Sequence, residues 1–224
     1  MVTSALLLAG GVASRWEGHL GLPKHLAPVP VEPNVHRLQR ELLERGVDDV
    51  MVACKPEDAD RYVSVGRAVE LADLGEGWRH EWEDSRQHWP DHRLLIIYGD
   101  CYLTPRLLDR MVADEEPGWR VYARWGSSTV TGKHYGEMFG WVIQPDAHDE
   151  LDAAAAYSAD AYRSGRHDRC LGWEVYRTAV GYGLGDHRRE DVHGIEWNDL
   201  SEDFDWPHDY DRWLAAYRAA GSVD

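Results

Sequence analysis

The chain has 224 residues, a length that fits one α/β domain with a sizeable core and requires no second domain. Its formal net charge of −16 argues against a nucleic-acid partner or an anionic membrane surface, because both would be repelled over most of the protein. The three cysteines are widely spaced and form no C-x-x-C pair, which supports neither a disulfide framework nor a zinc site and favours a reducing cytoplasm.

The first predicted element is a buried strand that ends in a glycine-rich loop. An apolar run stops at Gly10-Gly11, and the missing Cβ atoms let the loop backbone approach a ligand closely. The run has no basic leader and is too short to cross a bilayer or to serve as a usual signal peptide. Inward-turned N–H groups in such a loop can bind phosphate, and Arg15 and Lys24 would add fixed positive charge.

A parallel β-loop-α-β unit is the next prediction. Residues 34–45 carry apolar side chains at helical spacing, with Asn34 as a candidate cap at the start and Gly46 at the end. The following segments predict a buried strand at 47–54, a short helix at 57–68, a short third strand at 69–71, and a glycine-containing loop that turns helical and polar within 73–93.

The strongest strand signal after the first is LLIIY at 94–98, which runs into Gly99-Asp100. A helix is predicted at about 105–114, with Thr104 well placed to cap it. The later predicted elements are strands at 119–124 and 138–143 around a loop at 126–136, helices near 146–164 and 171–180, a glycine-rich turn at 181–185, a strand near 192–197, an acidic loop at 198–206, and an amphipathic helix from Pro207.

This alternation predicts an α/β fold with a mostly parallel central sheet flanked by helices, as one domain over residues 1–224. Ligands of such sheets bind at the carboxyl ends of the strands, so Gly10-Gly11 and Gly99-Asp100 should face one crevice. Asp100 would present a fixed carboxylate there, which is a suitable Mg²⁺ ligand. The alternative is a helix-capping Asp, although Thr104 is better placed for that role.

The segment Leu8-Ala9-Gly10-Gly11-Val12-Ala13-Ser14-Arg15, followed by Pro23-Lys24, resembles the L-A-G-G-x-G-x-R and P-K signature of nucleotidyltransferases with the nucleotide-diphospho-sugar transferase fold, which is Rossmann-like. Ala13 stands where the family has its third glycine. The resemblance implies Mg²⁺-dependent transfer of a nucleoside monophosphate from a nucleoside triphosphate to a phosphorylated small-molecule acceptor, either a sugar phosphate or an alcohol phosphate, with release of pyrophosphate. The alternative is a strand-to-loop turn with incidental basic residues.

The resemblance also implies roles for individual residues. Arg15 would hold the β and γ phosphates and Lys24 would neutralise charge at the α-phosphate, as the catalytic pair. The nucleotide-binding set is Leu8, Ala9, Gly10, Gly11, Arg15, Lys24, Gly75 and Asp100. Gly75 belongs to the segment 74–78, where the family's G-T-A pattern is absent, so the preferred base stays open; Trp78 could stack on a base or lie in the core.

Two further resemblances complete the expected site. The segment Asp205-Trp206-Pro207-His208-Asp209-Tyr210 is similar to the family's D-x-P-x-D element, which implies Asp205 as the second metal ligand, with Asp203 and Asp199 as alternatives. An acidic loop that caps the last helix is the other interpretation. The segment GKHYGEMFGW resembles a G-E-x-x-G element, which implies that Lys133 and Glu137 bind the acceptor within a subregion at 126–190. A surface hairpin with solvated charges is the alternative.

Two other functions stay open. A glycosyltransferase of the same fold would use a D-x-D motif, for which Asp203-Phe204-Asp205 lies late in the chain, and a catalytically idle nucleotide-binding module would lack the metal site. The sequence contains no P-loop, dinucleotide fingerprint or nucleophile elbow. The twelve histidines, without metal-ligand spacing, are expected at the surface or in satisfied hydrogen bonds. Acceptor, base and oligomeric state are not predicted.

Overall fold

The computed structural model describes residues 2–11, 13–71 and 81–221. The strands are β1 (Thr3–Leu8), β2 (Asp49–Cys54), β3 (Arg67–Glu70), β4 (Arg93–Tyr98), β5 (Cys101–Tyr102), β6 (Trp119–Arg124), β7 (Glu137–Ile143), β8 (Gly194–Glu196) and β9 (Glu202–Asp203). The α-helices are α1 (Asn34–Glu44), α2 (Ala59–Tyr62), α3 (Glu81–Ser85), α4 (Pro105–Val112), α5 (His148–Arg163), α6 (Gly172–Ala179) and α7 (Pro207–Ala220).

Seven of these strands form one sheet in the order β3-β2-β1-β4-β7-β6-β8. The pairs β1–β2, β1–β4, β2–β3 and β6–β8 are parallel, whereas β7 runs antiparallel to both β4 and β6. The mostly parallel α/β sheet predicted from the sequence is therefore confirmed. Leu8 pairs with Tyr98, so β1 and β4 end at the same edge of the sheet.

Helices cover both faces of the sheet, which explains the continuous apolar runs of its central strands. In β1, Leu7 joins the core cluster that includes residues of α1 and α4, and Leu6 joins the opposite cluster with residues of α5 and α6. Alternate residues of β4 divide between the same two clusters. With both faces buried, the carboxyl edge is left for a ligand.

Some local predictions were wrong. Asn34 does not cap α1: Pro33 is the N-cap, and the Asn34 amide donates to the carbonyls of Gly99 and Cys101 at 3.0 and 2.8 Å. The helix expected at 57–68 is a 3₁₀ turn followed by α2, and the chain then enters β3. Gly66 adopts φ +82°, and a Cβ there would lie 2.3 Å from the Val50 carbonyl oxygen.

The predicted acidic loop at 198–206 contains a buried strand. β9 pairs antiparallel with β5, which places Asp203 opposite Cys101. A separate aromatic cluster, which includes Trp16, Phe204 and Trp213, joins the glycine-rich loop region, α7 and the residue after β9. These three segments are thus packed together through one small core. Within the described residues, no helix is long and apolar enough to span a membrane.

Candidate active site

The glycine turn after β1 and the Gly99-Asp100 turn after β4 lie side by side. Gly99 donates its N–H to the Leu8 carbonyl at 2.8 Å. A Cβ on Gly99 would stand 2.9 Å from that oxygen and 3.4 Å from the Ala9 Cβ, so a larger residue would push the turns apart. The close approach holds Asp100 next to the glycine turn.

Lys24 connects this edge to the acidic segment after β9. It sits in a 3₁₀ turn, Lys24–Leu26, where Pro23 sets the entry of the chain. Its ammonium contacts the Asp100 carboxylate and lies 3.6 Å from Asp205 Oδ1. Burial disfavours the charge, but the neighbouring aspartates raise the pKa of Lys24 above its usual value. Burial also opposes ionisation of Asp100, yet Lys24 lowers the pKa of that carboxyl to about 2.

The three candidate aspartates of the acidic segment have different hydrogen-bond partners. Arg15 donates to Asp205 at 2.7 Å, and about half of its side chain is exposed, so the guanidinium is open to a ligand. Asp203 accepts from Lys133 at 2.8 Å. Asp199 instead accepts from the Thr104 hydroxyl at 2.5 Å and from Ser201 N–H at 2.7 Å, at the start of α4. The geometry therefore groups Asp203 and Asp205, without Asp199, around Lys24 and Lys133.

Lys133 and Glu137 are not on a solvated surface hairpin. The Lys133 ammonium is buried and lies 3.7 Å from Glu137, 2.8 Å from Asp203 and 3.4 Å from Asp209. Burial, which the Lys133 charge only partly offsets, raises the pKa of Glu137 to about 7. Both residues lie at the active-site edge, but Lys133 is engaged by carboxylates, and its predicted contact with an acceptor stays a prediction.

The residues present could hold a divalent cation. Ligand atoms of Asp100, Cys101 and Asp203 all lie within 4.8 Å of one another. Carboxylate oxygens suit Mg²⁺, whereas the Cys101 thiol is a soft ligand whose pKa is raised by burial. Carboxylates also outnumber the cations here, since Arg15, Lys24 and Lys133 contact five of them: Asp100, Glu137, Asp203, Asp205 and Asp209.

The structure adds two residues that sequence reasoning missed. Glu81 accepts the Gly10 N–H at 2.7 Å, and burial raises the pKa of this carboxyl to about 7. Glu81 lies in a polar stretch of the sequence that contains no recognisable motif. His25 is buried and its Nδ1 lacks a partner among the described residues, so the expectation of surface or satisfied histidines is wrong for it. Its position directly after Pro23-Lys24 was the available signal.

His25 also lines a cavity of about 440 Å³ beside the glycine turn, together with Gly11, Lys55 and Tyr62. This volume is in the range of small-molecule sites. The predicted base-contacting segment 74–78, with Gly75 and Trp78, lies outside the described residues, as does Val12. Among the described residues, the candidate site therefore comprises this cavity and Asp100.

A glycine turn, a buried lysine and paired aspartates at one parallel-strand edge are the parts of a nucleotide-dependent transferase. The chain belongs to the family described as the MobA-like NTP transferase domain, whose model matches residues 5–169. It is a nucleotidyltransferase with the nucleotide-diphospho-sugar transferase fold, as the signature at Leu8–Lys24 implied.

Solved structures share this fold at low sequence identity. CTP:phosphocholine cytidylyltransferase from Streptococcus pneumoniae matches with a TM-score of 0.66 and 14% identity, over 97% of this chain and 100% of that one. Inositol-1-phosphate CTP transferase from T. maritima matches with a TM-score of 0.65 and 15% identity, over 95% of each chain. UDP-glucose pyrophosphorylase in complex with UDP-glucose matches with a TM-score of 0.65 and 12% identity, over the whole of both chains. No curated protein sequence matches the chain.

Proposed function

We propose that the chain transfers a nucleoside monophosphate from a nucleoside triphosphate to a phosphorylated small-molecule acceptor and uses Mg²⁺. The observation that carries the proposal is the contact of Lys24 with both Asp100 and Asp205 beside the glycine turn. It joins the signature lysine to two carboxylates at the expected edge. The structural relatives whose printed names include a cytidylyltransferase and a CTP transferase support the same reaction class.

In this reaction an acceptor phosphate oxygen forms a bond to the α-phosphorus, and the bond from that phosphorus to the β-phosphate oxygen breaks, so pyrophosphate leaves. Positioning and charge neutralisation are the main tasks of the protein. The half-exposed Arg15 guanidinium would hold the β and γ phosphates and stabilise the leaving pyrophosphate. Lys24 would turn from Asp100 to the α-phosphate once another cation neutralises the carboxylates.

Asp100 and Asp205, which both face Lys24, would hold Mg²⁺. Asp203, which has a ligand atom within 4.8 Å of one of Asp100, is the alternative second ligand. The bound cation would neutralise charge on the triphosphate and favour the departure of pyrophosphate. Leu8, Ala9, Gly10 and Gly11 would line the nucleotide. Because Glu81 takes the Gly10 N–H, a nucleotide that uses this donor must displace the carboxylate or bind beside it. Glu137 would accept hydrogen bonds from acceptor hydroxyls.

The test is a thermal-shift screen of nucleoside triphosphates with and without Mg²⁺, followed by a pyrophosphate-release assay with a panel of phosphorylated acceptors. One triphosphate should raise the melting temperature in a Mg²⁺-dependent manner, because a ligand that binds only the folded state stabilises it. Arg15→Ala should weaken this response, whereas Arg40→Ala, which removes an exposed arginine paired with Glu32, should not.

The assay separates the alternatives. Nucleotide binding that does not depend on Mg²⁺, without pyrophosphate from any acceptor, would contradict the proposal and favour a catalytically idle module. Turnover of a nucleotide sugar without pyrophosphate release would favour a glycosyltransferase. Equal thermal responses of the Arg15 and Arg40 variants would remove Arg15 from the phosphate site.

A further inference from the structure

A second cavity, of about 380 Å³, lies next to the proposed active site within the region that follows β6. Trp125, Trp173 and Tyr176 form one aromatic wall, with ring centroids 5.7 to 6.3 Å apart. Tyr135 and Gly136 line the cavity and directly precede Glu137, so it meets the active site at the start of β7. The volume is sufficient for the organic part of a small substrate.

The carboxylates that line this cavity are already paired. Glu174 is buried, accepts the Leu171 N–H at 3.0 Å and pairs with Arg177 at 2.8 Å. Asp186 pairs with Arg188 at 2.6 Å and also accepts the backbone N–H of that residue. Neither carboxylate is left to balance a cationic ligand.

Two polar groups of the lining, on Arg169 and His187, offer hydrogen-bond donors. Among the described residues, Arg169 makes no hydrogen bond and no ion pair, although its guanidinium carries a full positive charge. His187 Nδ1 lies 2.9 Å from an Arg177 nitrogen, and a guanidinium can only donate, so this Nδ1 must accept. The proton of a neutral His187 ring then resides on Nε2, which makes that atom a further donor.

We propose that this cavity binds the organic part of the acceptor and that the acceptor carries a carboxylate, which Arg169 and the Nε2–H of His187 hold. This inference rests on the proposed transfer reaction, since it names the substrate class of that site. A guanidinium fork matches a carboxylate with two parallel hydrogen bonds. A neutral sugar would leave the Arg169 charge unmatched, and a quaternary ammonium would be repelled by it.

A pair of probes isolates the carboxylate. 3-Phosphoglycerate and glycerol 3-phosphate share a three-carbon chain and a terminal phosphate, and they differ in a carboxylate against a hydroxymethyl group. Their dissociation constants would be measured by calorimetry with the wild-type chain, Mg²⁺ and a non-hydrolysable analogue of the triphosphate selected by the screen above, with phosphocholine as a cationic comparison. We expect 3-phosphoglycerate to bind about tenfold more tightly than glycerol 3-phosphate, as for loss of a charge-assisted hydrogen bond.

The variants assign the preference to a residue. Arg169→Ala and Arg169→Gln should bind the two probes with similar affinity. Arg189→Ala should retain the preference, because Arg189 pairs with Asp191 at 2.9 Å and does not line the cavity. Equal binding by the wild type, no binding of either probe, tighter binding of phosphocholine, or a preference that survives both Arg169 substitutions would overturn the inference.

The same experiments give a different pattern of results if the proposed transfer reaction itself is wrong. A carboxylate preference that depends on Arg169, without pyrophosphate release from any acceptor, would contradict the transfer reaction and support a carboxylate site. Pyrophosphate release that is equally fast with carboxylated, neutral and cationic acceptors would support the transfer reaction and overturn the acceptor class.

Discussion

Lys24→Met removes a buried ammonium while it keeps the length of the side chain. The pKa of Asp100 is about 2 against an ordinary 3.8, which corresponds to about 2 kcal/mol in favour of the ionised carboxylate. Burial opposes that shift, so the combined stabilisation of the carboxylate, to which Lys24 contributes most, exceeds this value. Breaking a buried ion pair costs about 3–5 kcal/mol. For a chain of this length we expect the melting temperature to fall by roughly 10 °C.

The same variant should respond more strongly to Mg²⁺ than the wild type, because Asp100 and Asp205 lose the ammonium that competes with a metal ion. Differential scanning fluorimetry with Mg²⁺ and without nucleotide measures this directly, and pyrophosphate release should fall by orders of magnitude. The contribution of ionised Asp100 to the free energy of unfolding is fully present above pH 3.8 and is lost as the pH falls towards 2. The assay is therefore run near neutrality. An identical Mg²⁺ response in both proteins, or unchanged turnover, would refute this reasoning. Arg67→Met, which removes an exposed partner of Asp49, is the control.

Asp100→Asn should reduce pyrophosphate release by orders of magnitude with an unchanged circular dichroism spectrum, and full activity with Mg²⁺ would remove Asp100 from the metal site. Burial lowers the pKa of His25 from 6.5 to about 4, so the free energy of unfolding should decline by about 3 kcal/mol as the pH falls through that window. Urea titrations at both ends of the window should show that His25→Phe lacks this contribution, and equal declines would contradict it. Arg124 and Glu202 form a buried pair at 3.0 Å, so Arg124→Met should cost about 3–5 kcal/mol. The double variant Arg124→Met with Glu202→Met should recover only part of that loss in the same titration, because the hydroxyls of Ser128 and Thr131 also donate to Glu202. A double variant no more stable than Arg124→Met would argue against the pairing energy.

The sheet could be predicted because its signals are local. The continuous apolar runs of β1 and β4 are typical of parallel strands covered on both faces, and each ends at a glycine. Thr104 was likewise correctly assigned as a cap, since its hydroxyl accepts the Leu107 N–H at 3.2 Å. The assignment of Asn34 as a cap was wrong, because its amide donates to the carbonyls of Gly99 and Cys101, which are distant in sequence. Local propensity cannot detect such a partner.

The buried charges of the site could not be predicted from the sequence for the same reason. Lys133 and Glu137 have the composition of a solvated loop, but residues distant in sequence enclose the Lys133 ammonium, which contacts Asp203 of β9 and Asp209 of α7. The order of preference among the acidic residues also depends on contacts between distant residues, because Asp199 accepts from Thr104 whereas Asp205 lies 3.6 Å from Lys24. The resemblance located the site, and long-range packing arranged its charges.

The aromatic cluster that joins Trp16, Phe204 and Trp213 has a consequence for biosynthesis. The carboxylates at 203 and 205 reach the first strand's loop only after the ribosome has released the segment around Trp213. A nascent chain stalled before that point holds the pair of Lys24 and Asp100 but has not yet placed Asp203 and Asp205 beside it, so competence for catalysis should arise abruptly, late in translation. Stalled nascent chains that differ in length by a few residues around this position would report the step.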